Sequence, residues 1–210
     1  MRSIFVLFVW FYCVLNGTAQ LVNAPSGDNQ ICEVTQYLGS IANVSVKYSS
    51  PGVKGRSGKI WGSLVPWGME ANNIGSAKEI PWRAGANENT VITFSNDMMV
   101  NDNAIPAGKY GFHIITQKDA PWILIFNKTN SAWGSYSYDA NDDVLRIEVQ
   151  PTQSEFTEWL TYTFTDRRPE STVLELRWET LAVPIKISLP NSNAIYVNKF
   201  KEDLKGSKGF

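Results

Sequence analysis

The sequence predicts an all-β fold, an antiparallel β-sandwich or jelly-roll-like domain followed by a short C-terminal helix. Three observations predict it. Short segments alternate apolar and polar residues with a period of two, turn-forming Gly, Pro, Asn and Asp punctuate them, and no helical periodicity precedes Asn191.

The first nineteen of the 210 residues are read as a secretory signal peptide and set aside. Arg2 gives a positive start, an apolar run follows from Ile4 to Leu15, and Gly17-Thr18-Ala19 offers small residues for cleavage before Gln20. Cys13 follows Phe11 and Tyr12 inside the apolar run, which does not suit a lipoprotein signal. The expected setting is periplasmic or secreted. Residues 20–30 are small and polar and read as a flexible leader, residues 31–189 as the β-sandwich domain, and residues 190–210 as a short helical tail.

Each strand is read from its alternation. Val34, Gln36 and Leu38 alternate with Thr35 and Tyr37, and after Gly39 the run from Val44 to Tyr48 does the same. The stretch 49–58, with Pro51 and three glycines, is a turn-rich connector, and 67–80 is an excursion suited to a rim loop. Short strands are expected at 90–94 and 98–100, with Asn101-Asp102-Asn103 turning a hairpin. Residues 110–116 and 122–127 form a further pair, and 144–150 sets Leu145, Ile147 and Val149 against Arg146 and Glu148. Three more strands centre on Leu160-Tyr162-Phe164, Leu174-Leu176-Trp178 and Ile185-Ile187-Leu189. Ile195, Val197, Phe200 and Leu204 suit one face of a helix over 193–205.

Composition excludes several classes of function. With Arg2 removed, the 19 Lys and Arg fall to 18 against 20 Asp and Glu, a formal charge of −2 with no basic block, so neither nucleic acid nor an anionic membrane surface is an expected partner. No later apolar run reaches the roughly 20 residues of a spanning helix. Cys32 has no partner once Cys13 leaves with the signal, so stability is expected from packing. Aromatic residues make up 12% of the chain, and seven of its eight tryptophans survive signal removal, which suits a sandwich core or a stacking surface.

The densest polar chemistry lies at Pro81-Trp82-Arg83-Ala84-Gly85-Ala86-Asn87-Glu88. Gly85 permits backbone angles forbidden to other residues, and its alanine neighbours keep the loop low, so Arg83, Asn87 and Glu88 are expected to converge near a pocket. Two readings fit them. A guanidinium, an amide and a carboxylate supply donors and acceptors for a polar ligand; equally, Arg83 and Glu88 would make a structural ion pair. Trp82 and Trp67 suit either stacking on a sugar or core packing.

The remaining motifs give no catalytic residue, no metal and no cofactor. The Gly52 to Lys59 stretch has five residues between Gly52 and Gly58 and Ile60 after the lysine, so it is not a phosphate loop. His113 is the only histidine, which excludes a His-rich zinc site, and no Gly-x-Ser-x-Gly elbow accompanies it. It reads as a structural residue or as a base on a strand near the 82–88 loop. Asp139-Ala140-Asn141-Asp142-Asp143 opens like a calcium loop but has Val144 at position six and Gln150 at position twelve, so it reads as a solvated turn. Glu155 and Glu158 read as surface charge.

The motifs Pro51-Gly52-Val53-Lys54-Gly55-Arg56, Lys59-Ile60-Trp61-Gly62, Leu64-Val65-Pro66, Trp82 through Glu88, Pro106-Ala107-Gly108-Lys109-Tyr110-Gly111, Trp122 with Ile125-Phe126-Asn127-Lys128, Trp133-Gly134 and Glu158-Trp159-Leu160 occur in one order. With them the chain resembles a family of exported bacterial proteins catalogued as a domain of unknown function, across about 31–189. The resemblance implies a periplasmic or outer-surface setting, an unassigned activity and no catalytic residues to carry over. Some members of that family continue into helical repeats, which this chain is expected to lack. The first functional expectation is therefore a binding module holding a small polar ligand or glycan through rim loops that include Trp67, Trp82, Arg83, Asn87, Glu88 and His113. The alternatives are a hydrolase using Glu88 or His113, and a non-catalytic envelope scaffold with a protein partner.

Overall fold

Alternation along the strands decides which side chains meet in the interior, and in the computed structural model, which describes residues 28–206, two antiparallel sheets face one another across them. The strands are β1 (Gln30–Leu38), β2 (Ala42–Ser50), the short β3 (Glu70–Ala71) and β4 (Glu79–Ile80), β5 (Thr90–Phe94), β6 (Met98–Val100) and β7 (Asn103–Ile105). They continue as β8 (Gly108–Ile115), β9 (Trp122–Asn127), β10 (Asp143–Val149), β11 (Thr152–Thr165) and β12 (Ser171–Ser188), before helix α1 (Ser192–Gly206). One sheet has the order β1-β2-β5-β8-β9-β10, the other β11-β12-β6-β7, and β3-β4 is a separate ribbon. The expected signal segment and most of the leader lie outside the described residues.

The core between the sheets follows the predicted phase. Val44, Val46, Ile92, Phe112, Ile114, Leu124 and Phe126 from the larger sheet pack toward Leu160, Tyr162, Leu174, Leu176, Trp178 and Ile185 from the smaller one. Asn101 and Asp102, at φ 44° and 64°, make the two-residue hairpin between β6 and β7, the conformation that Asn and Asp tolerate best after glycine.

The structure departs from the strand expectations in adding the short β3, β4 and β7, and most clearly in β12. The two strands expected around Leu174-Trp178 and Ile185-Leu189 are a single 18-residue strand, β12. The alternation loses phase at Glu179, which sits at φ 55° where the β11 pairing shifts register. A bulge of this kind bends a strand without ending it, and β12 accordingly pairs with β11 along its first part and with β6 at Ile187 and Ser188.

The larger sheet is also covered on its outer face. Ile80, Ile125 and Tyr138 form a second buried cluster with Met69, Ile115, Ile123 and Tyr136 around it, so the 66–80 excursion and the 131–139 loop lie over β8 and β9. The helix expected at 193–205 forms as α1, where the Ser192 hydroxyl donates to Glu170 Oε1 at 2.6 Å and Ile195 packs on the core. Val197, Phe200 and Leu204 are exposed. No helix among the described residues is long and apolar enough to cross a membrane.

Candidate functional site

The 83–89 loop is a detour out of a strand. Thr90 pairs with Phe112 on β8, and Trp82 pairs with Ile114 two residues further along, its N–H donating to the Ile114 carbonyl at 3.0 Å and its carbonyl accepting from the Ile114 N–H at 2.8 Å. The sheet thus treats Trp82 and Thr90 as members of one strand line with a single place between them. Between them the loop is tied down from within: Ala86 N–H donates to the Ser49 carbonyl, while the Ala84 carbonyl accepts from Thr90 Oγ1 at 3.1 Å and Tyr162 Oη at 2.8 Å.

Its backbone is special where the sequence did not indicate. Ala84 and Asn87 take the left-handed conformation, at φ 52° and 58°, whereas Gly85 does not. Glycine is required at 85 for space, because an added Cβ would stand 2.7 Å from Thr90 Oγ1 and 3.1 Å from the Ser49 carbonyl oxygen. The turn at Asn87 also separates its neighbours. Arg83 and Asn87 line one cavity and Glu88 lines a second depression with Lys47, Ser49 and Asn130. Ser49 Oγ donates to Glu88 Oε2 at 3.2 Å, and Arg83 and Glu88 form no ion pair.

Arg83 is held by other means. Its Nη1 donates to the Asn87 carbonyl at 2.9 Å, and its guanidinium lies over the Tyr136 ring, 5.1 Å from the centroid. Gly134, at φ 61°, makes room for it, since a Cβ there would fall 2.5 Å from the guanidinium carbon. Asn89 fixes the loop that carries Gly134: its Nδ2 donates to the Gly134 carbonyl at 2.8 Å and its Oδ1 accepts from Ala132 N–H at 2.6 Å.

The cavity on the Arg83 side measures about 620 Å³, within the range of small-molecule sites. Trp82 and Trp178, nearly parallel with centroids 6.2 Å apart, belong to its wall together with Pro51, Lys54, Arg56, Leu64, Pro66, Glu70, Arg83 and Asn87. Behind them Trp61 packs on Trp82, Trp122 and Trp178 at 4.9 to 5.7 Å. The Trp61 and Trp178 indole N–H groups are buried without an acceptor.

The 51–66 connector reaches this site because two adjacent strands of the smaller sheet, β11 and β12, hold it. Gly52 bridges to Trp159 on β11, and Lys54 N–H donates to Glu158 Oε1 at 2.7 Å, so Glu158, expected as surface charge, anchors a loop. From β12 the buried Glu179 carboxylate accepts from Gly58 N–H and from the Ser57 hydroxyl.

A family model described as a protein of unknown function, DUF2911, matches residues 30–187, from the first residue of β1 to one short of the end of β12. The chain belongs to that family. No curated protein and no solved structure matches it. The DUF2911 unit in this chain is therefore the sandwich itself, with both loops that form the cavity inside it.

Of the residues the sequence singled out in this DUF2911 domain, Trp82, Arg83 and Asn87 meet at the cavity. Trp67 packs half-buried over Gly62, 6.4 Å from the Trp122 ring, while its neighbours Pro66 and Gly68 line the cavity. His113 is 2% exposed on the outer face of β8, its Nδ1 hydrogen-bonded to Ser135 Oγ at 2.8 Å and its ring edge-on to Tyr138. Burial pushes the imidazole down to about 4, with Asp143 opposing and Arg83 adding to that shift. Beside it Asp143 accepts from Asn127, Tyr138 and Arg146, which closes a polar network under the 131–139 loop. No hydrogen bond joins His113 to Glu88. Among the described residues, no cluster of three or more His, Cys, Asp or Glu is placed to hold a metal ion.

Sequence reading missed Arg56 and Trp178. Trp178 keeps strict phase with Leu174 and Leu176, so it reads as core, and Arg56 stands in a connector whose fold depends on contacts about a hundred residues away. The only local signal was the rarity of a guanidinium among glycines.

Proposed function

We propose that this chain is an exported binding module that holds a small polar ligand or glycan in the cavity between the 51–68 and 80–87 loops. The observation that carries the reading is the cavity of about 620 Å³ in which the partly exposed Trp82, backed by the buried Trp178, stands beside Arg83 and Asn87. Binding sites of this type combine apolar walls with a few fixed polar groups. The 83–89 loop is supported by hydrogen bonds from Thr90 and Tyr162, so little order remains to be imposed on binding. Export is supported by the charged start, the short apolar run and the small residues before Gln20.

The test is a thermal-shift screen against glycans, peptides and metal ions. A ligand at a hundred times its Kd stabilises the folded chain by about 2.7 kcal/mol, and Arg83→Ala is expected to remove that gain. The gain is measured against the variant's own unliganded melting temperature, which falls with the loss of the bond to Asn87 and the contact with Tyr136. A screen in which no ligand raises the melting temperature, or in which Arg83→Ala retains the full gain, overturns the reading. An envelope protein partner is the second reading, favoured by Phe156 and Trp159 on the edge strand β11, which are 54% and 44% exposed. Its signature is a partner whose binding responds to Trp159→Ala and ignores Arg83→Ala.

A further inference from the structure

Building on the binding reading above, we propose that the cavity selects an acidic glycan, with the sugar against Trp82 and its acid group met by Arg56 and Arg83. Four charged side chains line the cavity: Lys54, Arg56, Arg83 and Glu70. Lys54 is paired with Asp28 at 2.7 Å, but neither guanidinium has a carboxylate partner among the described residues. Each keeps unspent donors. Arg56 uses Nε on the Val53 carbonyl at 2.9 Å and Nη2 on the Gly52 carbonyl at 2.7 Å, and Arg83 uses Nη1 on the Asn87 carbonyl. A guanidinium carries five N–H donors and stays charged at every pH at which a protein folds, so the cavity presents fixed positive charge with open hydrogen-bonding capacity.

These cations are also held in place before any ligand arrives. Arg56 is clipped to the turn it follows, and Arg83 lies between Gly134 and the Tyr136 ring. Positioned guanidiniums recognise a carboxylate or sulfate through paired N–H donors at a lower ordering cost than mobile lysines would. Glu70, lining the same cavity, offers carboxylate oxygens to the hydroxyl groups of a sugar. The formal −2 of the chain without its first nineteen residues, and the lack of any basic block, disfavour a polymeric nucleic acid as the source of the anion.

The test is titration calorimetry on the full chain with trigalacturonate, its fully methyl-esterified form, and a sulfated heparin-derived disaccharide. The ester keeps the sugar rings and removes the charge. Trigalacturonate or the sulfated disaccharide is expected to bind at least about tenfold tighter than the ester, about 1.4 kcal/mol, and more weakly as salt rises. Whichever of the two is tighter assigns the acid as carboxylate or sulfate. Arg83→Gln and Arg56→Gln are each expected to bring the acid-to-ester ratio toward one. Equal affinity of acid and ester for the unaltered chain overturns the acidic preference and leaves the binding reading standing. No heat with any of the three probes overturns this proposal, and the binding reading falls with it only if the wider thermal-shift screen is also silent. The acid-to-ester comparison needs no variant, so it decides the proposal even where a substituted chain fails to fold.

Discussion

Acidification should destabilise this protein through His113, by an amount that its burial sets. The folded imidazole titrates near 4 and an exposed one near 6.5. Above pH 6.5 both folded and unfolded chains carry the neutral ring, and the stability associated with it is fully present. As pH falls from 6.5 toward 4 the unfolded chain takes up a proton that the folded chain refuses, and by pH 4 that difference amounts to about 3 kcal/mol lost. Ser135, Tyr138, Asp143, Arg146 and Arg83 are the polar and charged groups around the ring, and Asp143 is the one that would welcome the imidazolium. The assay is a series of urea melts between pH 8 and pH 4 on the wild type and on His113→Asn, which keeps a hydrogen-bonding atom near the Nδ1 position and does not titrate. Carboxylates elsewhere titrate alike in both chains and cancel in the difference. The variant should start less stable at pH 8 and lose about 3 kcal/mol less on the way to pH 4. Parallel stability curves would refute the reasoning, because they would mean that the folded chain protonates His113 as readily as the unfolded one.

Other perturbations address the 83–89 loop. Gly85→Ala should cost about 1 to 3 kcal/mol in urea melts, since its Cβ meets Thr90 Oγ1 and the Ser49 carbonyl at overlapping distances. Tyr162→Phe should cost about 1 kcal/mol and speed amide exchange at Ala86, through loss of the bond to the Ala84 carbonyl. Arg83→Ala and Glu88→Ala should add to within about 0.5 kcal/mol in the double variant, as they face different depressions. A coupling energy well above 1 kcal/mol would restore the ion-pair reading.

The strands were legible because alternation is a local signal: Val44 to Tyr48, Thr90 to Phe94 and Val144 to Val149 each fall where their pattern puts them. β12 was legible in its halves and not as one strand, because the phase slip at Glu179 is indistinguishable in sequence from a break between strands. The 82–88 motif announced a built loop, and the structure makes it one, but which residues face together is set by backbone torsions that composition does not encode. Asn87 turns left-handed, and adjacent Glu88 is carried to the other side of the loop from Arg83. Arg56, Trp178 and Gly134 join the site from positions some thirty to one hundred residues away, through anchors such as Glu158 and Asn89 that look unremarkable in isolation.

Because Trp82 and Thr90 lie on one line against β8, with partners only two residues apart, the seven residues between them behave as an exchangeable cassette. The sheet's register does not depend on how many residues the cassette holds, and lengthening a flexible loop costs only about 0.6 kcal/mol per doubling. Under the proposed binding function, ligand preference would be altered by exchanging 83–89, provided that new loops find their own substitute for the tethers to Ser49 and Tyr162. A chain in which one residue replaces all seven would keep the strand line against β8 but leave the buried Tyr162 hydroxyl without its acceptor and release the 132–134 loop from Asn89. A binding blank is therefore better made by exchanging side chains within a loop of the same length.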